Sequence, residues 1–172
     1  MSFILLIRNK LNPRKLLRRA YAGIYLILLR SNCIINVNKL EGKYKGKRCY
    51  IFGNGPSLRY VDFEQLADQH VITANGFFRH NYFDKFNKLI YINVDKTQAE
   101  DWEDEFVALG RNKRLVKVIS KKNILWHVIT RNTIILNNLK YEKSSDFSFN
   151  IRNGVYHAGS VVYVALQIAY YL

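Results

Sequence analysis

Four apolar residues, Cys49-Tyr50-Ile51-Phe52, run directly into Gly53-Asn54-Gly55-Pro56-Ser57. Nothing else in the chain narrows the fold as much. A short run rich in aromatic and β-branched residues reads as a buried strand. Gly53 and Gly55 are free to take positive φ and to let a ligand approach the main chain. Pro56 fixes φ near a helical value and lacks an N–H, which suits a first helical position. Strand, glycine turn and helix start together aim backbone N–H groups at an anion. The Asn54 and Ser57 side chains add donors and acceptors to that cradle. The third glycine of a GxGxxG motif is absent, since Leu58 and Arg59 follow Ser57, and no Lys-Ser/Thr pair closes a Walker A loop. A ligand-binding turn and a plain tight connection from strand to helix both fit these residues.

The rest of the chain repeats the alternation of strand and helix. Val71–Ala74, Leu89–Val94, Leu115–Ile119 and Thr133–Leu136 read as further strands. Asp62 is placed to cap a short helix through Gln69. Thr97–Leu109 reads as an acidic helix with Gly110 as its stop, and Ile124–Ile129 as a short helix. Asn137–Asn150 is polar and reads as loop. Gly159 or Ser160 opens an apolar helix, Val161–Leu172, which is apolar nearly all round and so expected to be buried. Strands alternating with helices predict an α/β fold, a Rossmann-like parallel sheet flanked by helices. A parallel sheet whose last helix is followed by no strand is expected to be incomplete at its C-terminus, the front part of a longer protein.

Charge divides the chain differently. Residues 1–48 hold 12 Lys and Arg and one acid, Glu41, whereas residues 49–172 hold 15 Lys and Arg and 12 acids. The excess belongs to the leader and not to the globular part, which argues against nucleic acid as partner. Asn12 and Pro13 form a helix start. From there Leu17, Tyr21, Ile24 and Leu28 recur at helical spacing opposite Arg14, Lys15, Arg18 and Arg19. The apolar run Tyr21–Leu29 is too short to cross a bilayer, which takes about 20 residues, and no small-residue cleavage site follows it. An N-terminal amphipathic helix on an anionic membrane surface and a helix docked on its own domain both fit. The expected division is therefore a basic helix at 1–38, a linker at 39–46 carrying Gly42 and Gly46, and a nucleotide-binding domain at 47–172. Only two cysteines are present, Cys33 and Cys49. With Cys49 in a buried strand, a reducing cytoplasm is expected, with the protein peripheral on the inner membrane face.

Ligands of open parallel sheets lie beyond the carboxyl ends of the strands. Gly53 and Asn54 follow the first strand, Asn75 the second, and Asn93 and Asp95 flank the end of the third. Asparagine-rich strand ends suit a nucleoside, whose base and ribose need paired donors and acceptors. Asn and Asp also simply favour turns and caps, and Asp95 is placed to cap the acidic helix. Asp101, Glu103, Asp104 and Glu105 point in mixed helical directions, a solvated face rather than a metal site. His70, His80 and His127 lack ligand spacing. His157 lies just before a helix N-terminus, as a surface or core histidine or as a general acid–base. No nucleophile elbow, zinc spacing or kinase signature is present, so no catalytic residue and no metal site are assigned.

Two blocks go beyond this generic pattern. GKRCYIFGNGPSLRYVDFEQL and NGVYHAGSVVYVALQIAYYL resemble motifs of the 6-hydroxymethylpterin diphosphokinase MptE-like domain family, which includes bacterial surface-polysaccharide proteins and motility accessory factors. That family is similar to the single-domain bacterial sialyltransferases, which share the GNGPSL turn. The resemblance covers roughly Gly46 to Leu172. It implies that Gly53, Asn54, Gly55, Pro56, Ser57 and Asn75 hold a cytidine nucleotide, with Asn93 after the third strand. It further implies that Gly154, Val155 and Tyr156 line the phosphate side. The family continues into a strand ending in Gly-hydrophobic-Asp that supplies the general base, and no such segment occurs here.

The function expected from the resemblance is a sialyltransferase-like glycosyltransferase of cell-surface polysaccharide biosynthesis, in a fragment lacking its catalytic C-terminal part. It would take a CMP-type nucleotide sugar as donor and a saccharide acceptor, lipid-linked if the basic helix meets the membrane. One alternative is 6-hydroxymethylpterin diphosphokinase-like transfer from ATP with magnesium, for which Asp95 is the acid at hand. The other is an inactive truncated module.

Overall fold

The computed structural model describes residues 37–112, 115–120, 133–139 and 146–172, all within one compact unit, Cys33–Leu172. The leader helix before residue 37, the Ile124–Ile129 helix, Cys33 and His127 lie outside the described residues.

The chain is mixed α/β. Five parallel strands stand side by side in chain order: β1 (Cys49–Phe52), β2 (His70–Ala74), β3 (Lys88–Asn93), β4 (Val116–Ser120) and β5 (Thr133–Leu136). Phe52, Thr73, Tyr91, Lys117 and Thr133 form one row across the sheet. A second, two-stranded parallel sheet joins β6 (Asn138–Leu139) to β7 (Val155–Tyr156) within and beyond the stretch expected to be loop. The helices are α1 (Lys96–Asp101), α2 (Glu103–Arg111) and α3 (Val161–Tyr171).

Both faces of the five-stranded sheet are covered, as parallel sheets require. Side chains alternate in direction along each strand. Ile72, Ala74, Ile90, Ile92, Val118 and Ile134 therefore form one core with Val164, Ala165, Ile168 and Tyr171 of α3. Val71, Leu89 and Tyr91 form the other core with Phe63, Phe77, Phe83, Phe86 and Phe106. On this second face, beside α1 and α2, the crossovers after β1 and β2 are short 3₁₀ turns, Pro56–Tyr60, Glu64–Leu66, Asn75–Arg79 and Phe83–Lys85, and the helix expected from Asp62 through Gln69 is not formed. An aromatic side chain buries about 150–250 Å², so a few rings cover what a helix would otherwise cover. Phe63 alone sits within 6.1 Å, centroid to centroid, of Phe52, Phe77, His80, Tyr82 and Phe86.

The acidic helix is two helices meeting at Trp102 (φ −117°, ψ 40°), and α2 continues through Gly110 to Arg111. Trp102 is held edge-on against Phe78 at 5.6 Å and beneath the Arg79 guanidinium at 4.1 Å. This anchoring overrides local helical preference.

The expected linker is docked onto the domain. Residues 37–40 are helical and 41–46 form turns, with Gly42 and Gly46 at φ 63° and 77°. Gly42 N and Tyr44 N donate to Tyr171 O and Leu172 O, and Val37, within the expected leader, is 5% exposed in the core. Cys49 is exposed, at the amino end of β1. Among the described residues no helix is long and apolar enough to cross a membrane.

Candidate functional site

The turn after β1 leaves towards the aromatic face, while α3 begins on the opposite face beside it. A Cβ added at Gly53 would meet Val162 Cγ2 of the first turn of α3 at 3.6 Å. The carboxyl edge thus carries a turn on one face and a helix start in contact with it on the other, at the edge where open α/β sheets take ligands.

The turn differs from its expected geometry. Gly55 sits at φ −76° and ψ 159°, and neither it nor Gly53 adopts positive φ. Added Cβ atoms at Gly53 and Gly55 would make only ordinary contacts, at 3.6 Å each. Pro56 does open a helical segment, but it is a five-residue 3₁₀ turn, too short for the summed dipole of an α-helix. The helix whose N-terminus stands at this corner is α3, whose N-cap Ser160 makes no side-chain capping bond. Asn54, Gly55, Pro56 and Ser57 are exposed. Asn54 Nδ2 donates to Ala74 O at 3.1 Å, tying the turn to the end of β2.

Asn75 takes the left-handed conformation, φ 49°, which a non-glycine residue rarely adopts and which Asn tolerates best. Its carbonyl accepts from the Tyr91 hydroxyl at 2.7 Å. Burial pushes the Tyr91 phenol far above its ordinary value, an effect the adjacent Asn93 side chain partly offsets. Tyr91 therefore stays a neutral donor, and Asn93 is fully buried. Tyr91→Phe is expected to cost about 1 kcal/mol, the worth of one hydrogen bond, read as a lowered denaturant midpoint. An unchanged midpoint would show that the hydroxyl does not hold Asn75.

Thr73 Oγ1, Asn75 Oδ1 and Gln98 Oε1 are buried with no hydrogen-bond partner among the described residues. Thr73 belongs to the last turnless stretch of β2, Asn75 follows it, and Gln98 lies on α1 just beyond β3. Buried polar groups are almost always paired, and these three orphaned atoms gather near the ends of two neighbouring strands, β2 and β3. Trp102 flanks it, its ring edge 3.5 Å from where a Cβ would stand on Gly76. Arg79 covers that ring and holds the exposed Glu105 carboxyl below its usual range. Thr73, Gln98 and Trp102 were not singled out in the sequence. A hydroxyl at the end of an apolar strand and a glutamine three residues after an Asp cap are the signals by which two of them could have been found.

Asp95 lies at the same edge, where its Oδ1 accepts from Thr97 N at 2.9 Å and Gln98 N at 3.2 Å and caps α1. The Gly154-Val155-Tyr156 segment is built into the fold. Ser148 Oγ donates to Gly154 O at 2.6 Å and Val155 N to Asn137 O at 2.9 Å. Tyr156 N donates to Gln167 Oε1 at 3.0 Å, and Gln167 Nε2 returns a bond to Tyr156 O at 2.7 Å. His157 is half-buried, and its carbonyl accepts from Ser160 N at 2.9 Å. Among the described residues no three His, Cys, Asp or Glu side chains gather as metal ligands. No protein-family model, curated protein or solved structure matches this chain.

Proposed function

We propose that the carboxyl edge of the sheet binds the nucleoside part of a nucleotide sugar, and that the chain serves a sialyltransferase-like glycosyl transfer in surface-polysaccharide synthesis. The observation that carries this is the set of orphaned atoms at Thr73, Asn75 and Gln98 beside the glycine turn. Two amide oxygens want donors and a hydroxyl can serve either way. A cytosine amino group and ribose hydroxyls supply that complement. The indole of Trp102 offers a flat apolar neighbour, and the N-terminus of α3 at Gly53 suits the phosphate. The likeness of the two sequence blocks to the MptE-like and sialyltransferase families points the same way, as does the parallel sheet whose carboxyl edge carries these residues. Gly154, Val155 and Tyr156 act in this scheme by holding α3 in place.

The sugar would pass to a saccharide acceptor, lipid-linked if the basic leader holds the chain on the inner membrane face. Removing residues 1–32, which spares buried Val37, is expected to abolish sedimentation with anionic vesicles free of phosphatidic acid. Unchanged sedimentation would refute the membrane role.

Calorimetric titration of CMP, UDP, GDP and ATP with magnesium into the full chain tests the site. CMP is expected to bind, and Asn75→Gly to weaken it about ten-fold, by loss of one buried hydrogen bond. Glycine keeps the left-handed backbone, so the melting temperature should hold. Binding by none of the four, or by CMP equally in the variant, refutes the assignment. Binding of ATP alone, and only with magnesium, favours the diphosphokinase reading. That alternative draws on Asp95, whose Oδ1 is engaged as the cap of α1.

A further inference from the structure

The opposite edge of the sheet carries a second concavity. A cavity of about 270 Å³ opens where β1, β2 and β3 begin, floored by strand residues such as Val71 and Leu89. Its walls carry Lys43, Lys47 and Arg48 from the approach to β1 and Lys88 from the start of β3, with Tyr44 and His70 between them. No Asp or Glu lines it. Glu41, near in sequence, pairs with Arg152, and Asp68 is held by Asn87 Nδ2 at 2.6 Å. The oxygen of Leu172 already accepts from Tyr44 N.

Four cations around one concavity repel each other unless an anion joins them. The His70 ring, tilted against Tyr44 at 4.4 Å, registers that field. Burial first, then Lys88, Lys47 and Lys43, hold its imidazole below the ordinary value. Placement adds to the case. In parallel α/β sheets the amino edge ordinarily serves stability and not binding, and a stabilising role gives no reason to gather like charges there. The docking of 41–46 onto the end of α3 brings Lys43 to the cavity that Lys47, Arg48 and Lys88 also line, so the cluster is a product of the fold and not only of a basic stretch of sequence.

The geometry points to a phosphate-binding site at the amino edge of the sheet, built by Lys43, Lys47, Arg48 and Lys88 and sized for one phosphomonoester or diphosphate group on a small apolar body. The ligand is a free phosphorylated small molecule or a phosphomonoester lipid headgroup. The site is separate from the carboxyl-edge site, and Asn75→Gly does not touch it.

Inorganic pyrophosphate added to the full chain tests the proposal, with the His70 imidazole followed by NMR. A bound dianion should raise the midpoint of His70 beyond what sodium chloride of equal ionic strength does. Lys47→Gln with Lys88→Gln should weaken pyrophosphate binding about ten-fold or more, since bonds to charged groups are the strong ones. Both lysines are exposed, so the melting temperature should be kept. Vesicles with and without phosphatidic acid separate the sources. Sedimentation specific to phosphatidic acid and lost in the double variant assigns a lipid headgroup, and pyrophosphate binding without it assigns a soluble ligand. An equal His70 response to chloride, or unchanged pyrophosphate binding in the double variant, overturns the site. So does variant-sensitive binding of a short RNA without any response to pyrophosphate.

Discussion

Gln167→Leu is expected to lower the melting temperature by on the order of 10–20 °C, from a loss of about 4 kcal/mol. Gln167 is the polar residue at the centre of an apolar helix, and it is fully buried. Its Oε1 accepts from Ser148 N and Tyr156 N, both at 3.0 Å. Its Nε2 donates to Tyr156 O at 2.7 Å and Tyr163 O at 3.0 Å. The Tyr163 carbonyl lies inside α3 and keeps its helical partner. The Ser148 N–H and the Tyr156 N–H and carbonyl each lose their bond to this amide. A hydrogen bond lost from a buried group costs about 1–3 kcal/mol. Leucine has nearly the right volume, so the loss tests hydrogen bonding and not packing. A fall of under about 3 °C by circular dichroism would contradict the assignment of this amide as the clasp between α3 and β7.

Gly154→Ala should cost about 3 kcal/mol or more, through two effects that act together. Gly154 sits at φ 128°, where a side chain is strained by about 1–3 kcal/mol. An added Cβ would also stand 2.7 Å from Asn137 O and 3.0 Å from Leu139 Cγ. The carbonyl belongs to the backbone that forms the bond from Val155 N, so it cannot retreat cheaply. Overpacking of this kind costs about 1–3 kcal/mol more. Chemical denaturation of the purified variant measures the sum, and a change within 1 kcal/mol would mean that the β6–β7 pair can shift aside. Gly154 and Gln167 share Ser148, which donates through Oγ to one and through N to the other. Combining the two variants should therefore cost less than the sum of the single losses, because the second change strikes a unit already loosened.

The same residues show why some features were legible and others were not. Asp95 was expected as a cap and caps α1, whereas Asp62, expected to cap a helix through Gln69, accepts from Glu64 N ahead of a three-residue 3₁₀ turn whose N-cap is Phe63. Such bonds are local and follow from residue type and spacing. The strands were legible because a short apolar run bounded by polar residues leaves little else to form. The apolar helix was expected at Val161–Leu172 and spans Val161–Tyr171. The geometry of the glycine turn was not legible, because glycine permits many conformations and the neighbours of Gly53 and Gly55 choose among them. Nor was the break at Trp102, which depends on a ring clasped by Phe78 and Arg79 from a different crossover.

By itself the sequence determined that β1 would lead into a glycine turn, that parallel strands would follow at short intervals, and that an apolar helix would cover them. Those outcomes depend on residues close together in the chain. Only the tertiary structure decided which polar atoms are left without partners at the carboxyl edge, and which cations face one another at the amino edge. It also decided that Gln167 binds Ser148 and Tyr156, partners 19 and 11 residues away. Such outcomes depend on what the fold brings within about 3 Å, a distance set by the packing of whole elements and not by the order of their residues.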